Sequence, residues 1–71
     1  MLVVGFHTIS EALAVEKASK EGKLPGRLGP VPREVKAGCG YAWLAEDSER
    51  AELERALEEQ NLAYEAIFVL Q

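Results

Sequence analysis

The chain has 71 residues, 48% hydrophobic and 28% charged, with a net charge of -4, which fits one small globular domain spanning residues 1–71 and excludes a disordered tail. No apolar run approaches the ~18 residues of a membrane span, the stretch Met1 to Phe6 has neither a basic leader nor a secretory core, and Cys39 is the only cysteine. The expectation is therefore a reduced, cytoplasmic protein with no internal disulfide and no membrane partner. Charge is unevenly spread: six basic side chains meet four acids in residues 1–40, a balance of +2, whereas Arg50 and Arg55 oppose eight acids in residues 41–71, a balance of -6. A half this acidic excludes a nucleic-acid partner, which requires a basic face to neutralise phosphates.

Leu2 to Phe6 is short, apolar and β-branched, as expected of a strand buried on both sides. Thr8 and Glu11 stand at capping-box spacing and start a helix predicted over residues 9–21, with Ile9, Ala12, Leu13 and the small residues up to Ala18 facing inward. Gly22 supplies the left-handed stop. A second strand is expected over residues 26–31, confined to a sheet edge because Pro30 and Pro32 cannot donate to a ladder. Residues 33–40 read as a loop, and Tyr41 to Ala45 as a third strand. Asp47 or Ser48 is expected to cap a helix over residues 49–60, with Leu53, Ala56 and Leu57 inside and the pairs Arg50/Glu54 and Arg55/Glu59 outside. Asn61 ends it, and residues 64–70 form the last strand, with Tyr64, Ala66, Phe68 and Leu70 on one face and Glu65, Ile67 and Val69 on the other. The order βαββαβ predicts an α+β, ferredoxin-like sandwich: a four-stranded antiparallel sheet with two helices on one face.

Most chemistry is hard to place on these residues. One cysteine and one histidine do not make a zinc or iron–sulfur ligand set, so no metal and no cofactor is expected. His7 reads as a polar strand terminus near a helix start. The carboxylates of the second helix face water rather than a dry pocket, and Gly38-Cys39-Gly40 precedes a strand, unlike a phosphate loop. Cys39 is the sharp feature. A lone cysteine is often a small core residue, but Gly38 and Gly40 on either side suit presentation of a sulfur to a second molecule, and their amides are placed to turn toward a thiolate. Arg33 and Lys36 add cations to the same loop, the setting in which thiolates are populated. With no second thiol, the chemistry left to Cys39 is acceptance of a sulfur atom as a persulfide, reversible capping or oxidant sensing.

At this loop the sequence resembles the selenium/sulfur carrier protein-like family, small bacterial proteins of about this length. The likeness runs through Phe6-His7, residues 10–17, Pro30-Val31-Pro32-Arg33-Glu34 and the Cys39-Gly40 pair, and covers nearly the whole chain; Gly38 stands where the family typically has serine. The resemblance implies a non-catalytic carrier in which Cys39 holds sulfur or selenium as a persulfide or selenosulfide between a donor and an acceptor protein. On this reading Arg33 and Lys36 steady the anionic terminal atom, and Gly38 and Gly40 keep access open. The alternative is an interaction or regulatory module, with Tyr41, Trp43, Tyr64 and Phe68 covering an interface on the open sheet face, although each of the four taken singly reads better as core or half-exposed sheet; such a face on so small a domain invites a homodimer. An enzyme in its own right lacks a nameable general base or enclosed pocket.

Overall fold

The computed structural model describes residues 1–36 and 38–71. Along the chain come β1 (Leu2–Gly5), α1 (Ile9–Lys20), β2 (Arg27–Pro30), β3 (Tyr41–Ala45), a single 3-10 turn (Asp47–Glu49), α2 (Arg50–Glu59) and β4 (Ala66–Val69). The strands form one antiparallel sheet in the order β2-β3-β1-β4. This is the α+β, ferredoxin-like order expected from the sequence.

The alternation of β1 divides the core in two. Leu2, Val4 and Phe6 point toward the helices and pack with Ala12, Val15 and Ala18 of α1, Leu53, Ala56 and Leu57 of α2, Leu24 and Trp43. Val3 points the other way and gathers with Ala42, Leu44 and Val35, with Val31, Phe68 and Leu70 against them. Both helices therefore lie on one face of the sheet, and the segment after β2 covers part of the other.

Helix α1 is held at both ends by side-chain and backbone geometry. Thr8 Oγ1 accepts from the Glu11 amide at 3.3 Å. The Glu11 carboxylate reaches back one residue further than a standard capping box, accepting from the His7 amide at 2.7 Å. At the other end Gly22 adopts φ +77°, and the Gly22 and Lys23 amides donate to Ser19 and Ala18, a Schellman stop that needs the left-handed residue. The inner face is narrower than expected. Ala12, Val15 and Ala18 are buried, while Ile9 and Leu13 are 42% and 50% exposed, because the small residues let the helix approach the sheet along one line and turn the larger pair aside.

Glu46, rather than Asp47 or Ser48, precedes the first turn of the second helical segment. Its amide donates to Glu49 Oε1 at 2.8 Å and its carbonyl accepts from the Glu49 amide at 2.9 Å. The inner stripe Leu53, Ala56 and Leu57 is buried as expected. Arg50 Nε lies 3.2 Å from Glu54 Oε2; among the described residues Arg55 and Glu59 form no such pair. Asn61 takes φ +56° and ends the helix. Strand β4 is shorter than the predicted span 64–70, although its faces alternate as expected, Ile67 toward the helices and Phe68 away.

Trp43 takes the core position rather than the interface role of the alternative reading. It lies opposite Leu28 in the β2–β3 ladder, on the helix side, and is 2% exposed. Its indole Nε1–H donates to the Pro25 carbonyl at 2.7 Å, so the one polar atom of the ring is satisfied inside the core. Trp43 therefore belongs to the core and covers no interface on the open face.

Candidate functional site

Residues 31–40 leave β2 and return to β3 as a loop with a closed base, the Val31 amide donating to the Gly40 carbonyl at 3.0 Å. Such an Ω-type closure keeps the loop compact. Its outer bend is a turn in which the Val35 amide donates to the Pro32 carbonyl at 3.0 Å, leaving Arg33 and Glu34 at the exposed corner. Val35, apolar in an otherwise polar segment, is 6% exposed and packs onto Val3, Ala42 and Leu44. The loop is thus pinned to the sheet face that a simple sandwich would leave open. Ala37, which the sequence reading included in this loop, lies outside the described residues.

Cys39 sits on the returning arm and is half-buried, its side chain packing against the edge of the helix-side core. Its Sγ lies 3.3 Å from the Tyr41 carbonyl oxygen, to which the thiol S–H donates. That is a weak bond to a neighbour two residues on.

The two glycines beside Cys39 serve different purposes. Gly40 adopts φ +81°, with nothing within 4 Å of where a Cβ would stand; it is needed for its backbone conformation, which turns the chain into β3. Gly38 is needed for a close approach. A Cβ there would lie 3.0 Å from the His7 carbonyl oxygen and 3.5 Å from that of Phe6. The loop therefore crosses directly over the end of β1, and the Gly38 amide continues to the far side, donating to Glu65 Oε1 at 3.4 Å. The expected cradle of glycine amides around the sulfur does not form as drawn from sequence: the Gly38 amide is turned to a carboxylate, and the partner of the sulfur is a carbonyl.

Arg33 and Lys36 are both exposed, and among the described residues neither makes an ion pair or a side-chain hydrogen bond. His7 is exposed, its Nδ1 lying 3.3 Å from both Glu11 oxygens. Two shallow hollows, of about 280 and 410 Å³, are lined by Met1, Arg27 and Glu49 among others and by Leu57, Leu62 and Tyr64 among others; Cys39 lines neither. Among the described residues no three His, Cys, Asp or Glu side chains converge as metal ligands would, and no helix is long and apolar enough to cross a membrane.

Sequence reasoning missed Glu65, which holds the loop from the residue just before β4, 27 positions away, and nothing local marks it. It also missed Val35, which did carry a signal: one β-branched residue among prolines, charges and glycines.

These features define a small α+β sandwich that presents a single half-buried cysteine on a loop tied to both central and edge strands. The chain belongs to the family described as "Putative Se/S carrier protein-like", whose model matches residues 1–69. No curated protein and no solved structure matches the chain.

Proposed function

We propose that Cys39 carries one sulfur or selenium atom between a donor protein and an acceptor enzyme, and that the chain itself catalyses no reaction. Support comes from family membership together with the placement of Sγ, on the exit arm of a closed loop, partly open and held by one weak hydrogen bond. In the exchange, the Cys39 sulfur attacks the terminal sulfur of a donor persulfide. The donor S–S bond breaks, its thiolate leaves, and Cys39 becomes a persulfide with no net oxidation or reduction. Handover repeats the step with the acceptor thiolate as nucleophile, and a selenium atom follows the same route through a selenosulfide. Loading replaces the S–H, so the bond to the Tyr41 carbonyl is given up and the terminal atom extends away from the core.

On this reading the loop residues divide the work. Gly40 provides the bend that brings Cys39 to the surface, and Gly38 allows the loop to rest on β1. Arg33 and Lys36 are the exposed cations that favour an anionic terminal chalcogen and attract anionic reactants.

The test is intact mass spectrometry of native protein after exposure to a cysteine desulfurase with its substrate. The expected result is a gain of one sulfur atom at Cys39, removed by dithiothreitol, absent in Cys39→Ser, and transferable to a thiol acceptor. A Cys39 that stays at its unmodified mass while the donor itself is loaded overturns the proposal.

A further inference from the structure

The two edges of the sheet differ in a way that points to a partner. The β2 edge carries an exposed Arg27, the glycine Gly29 and Pro30, which has no amide to donate. These are the devices that discourage edge-to-edge pairing. The β4 edge, Ala66-Ile67-Phe68-Val69, contains no charge, proline or glycine; its first three residues are half-buried and Val69 is 44% exposed.

The ladder shows which backbone groups this edge offers. Met1 and Leu70 exchange reciprocal hydrogen bonds, Leu70 N–H to Met1 O at 2.8 Å and the Met1 amino group to Leu70 O at 2.9 Å. In the register Leu2 opposite Val69, Val3 opposite Phe68 and Val4 opposite Ile67, antiparallel alternation makes Val3/Phe68 the next hydrogen-bonded pair. The N–H and C=O groups of Ile67 and Val69 therefore point away from β1, to the free side of the sheet.

We propose that β4 pairs antiparallel with β4 of a second copy of this chain, the two-fold axis passing through Phe68, so that two four-stranded sheets become one continuous sheet. The occupant follows from self-complementarity, which a two-fold contact demands. With Phe68 opposite Phe68 of the second copy, Ile67 faces Val69 and Ala66 faces Leu70, so every position from 66 to 70 sets apolar against apolar. Ile67 and Val69 then become the hydrogen-bonded pairs, using all the outward groups named above. A shift of the axis onto Ile67 sets Glu65 against Val69, and a shift onto Val69 sets Gln71 against Ile67. In the centred register Glu65 faces the uncharged side chain of Gln71. Phe68 falls at a non-hydrogen-bonded position, where side chains approach most closely and an aromatic pair contributes most. The proposal makes no use of Cys39 and stands apart from the carrier reading.

Sedimentation equilibrium from micromolar to millimolar protein tests it. A dimer is expected, which Val69→Lys converts to a monomer with unchanged circular dichroism. In a Cys39→Ser background, Phe68→Cys is expected to cross-link to a dimer under mild oxidation, and Val69→Cys is not. A monomer at millimolar concentration, a dimer indifferent to Val69→Lys, or equal cross-linking at both positions overturns the proposal. If Val69→Lys fails to fold, hydrogen exchange on the unmodified chain decides. The Ile67 and Val69 amides must gain protection as concentration rises while Phe68 does not; protection that ignores concentration sinks it.

Discussion

Gly38 rests on the carbonyl of His7, close enough that a Cβ on the glycine would stand 3.0 Å from that oxygen. The residue beside the candidate carrier cysteine is thus seated on the end of the central strand. A serine at this position must lift the loop by a few tenths of an ångström, because the neighbour is backbone and cannot swing aside. Gly38→Ser is expected to cost roughly 1 kcal/mol in stability and to weaken the Gly38 amide contact with Glu65. Urea unfolding measures the first effect. Amide exchange at Gly38 measures the second, and unchanged protection there would refute the seating of the loop.

Gly26 is more tightly constrained. At φ +112° a Cβ would collide with Trp43 Nε1 and lie 2.6 Å from the Leu44 carbonyl. Backbone strain and displacement of the indole act together, so Gly26→Ala is expected to lose about 3 kcal/mol, a large share of the roughly 4–10 kcal/mol a domain of this size holds. Denaturant midpoints and the near-ultraviolet signal of Trp43 report it.

The bond from Trp43 to the Pro25 carbonyl, at 2.7 Å, has its own test. Trp43→Phe keeps a ring in the core but removes the donor and some volume, leaving a carbonyl unpaired. A loss of roughly 2 kcal/mol is expected. The β2 edge opens first, seen as faster exchange of the Gly29 amide, which lies opposite Ala42 at a hydrogen-bonded position of the ladder.

Val35 ties the loop to the sheet face opposite the helices. Val35→Ala is expected to cost about 1–2 kcal/mol and, more usefully, to raise the alkylation rate of Cys39 in native protein by freeing the loop. If stability falls but alkylation does not change, the loop is held by its base and by Gly38 rather than by Val35.

Arg33 and Lys36 are expected to act through charge alone. The double substitution Arg33→Gln and Lys36→Gln should slow alkylation of Cys39 by anionic iodoacetate by roughly 2- to 5-fold relative to neutral iodoacetamide, and the difference should fade at high salt. Equal slowing with both reagents would assign these residues a structural role instead.

Residues close together in the chain were informative wherever a local rule decided the outcome. Thr8 with Glu11, Gly22 and Asn61 marked helix ends, since caps and left-handed stops are satisfied within a few residues. The Leu53, Ala56 and Leu57 stripe marked an inward face, and the proline-rich end of β2 marked an edge. Cys39 stood out for its glycine neighbours, and the element order pointed to the sandwich. Contacts across the fold were not legible. Trp43 read as core or half-exposed sheet, with an interface role as the alternative, because alternation within a strand says that two faces exist, not which one meets the helices. The partner of the Gly38 amide read as a sulfur because Glu65 comes near only after β4 has docked beside β1. Local patterns determined the elements, their ends and the candidate cysteine; docking of the strands decided what surrounds its sulfur, because hydrogen bonds between distant residues exist only once the sheet has brought them within reach.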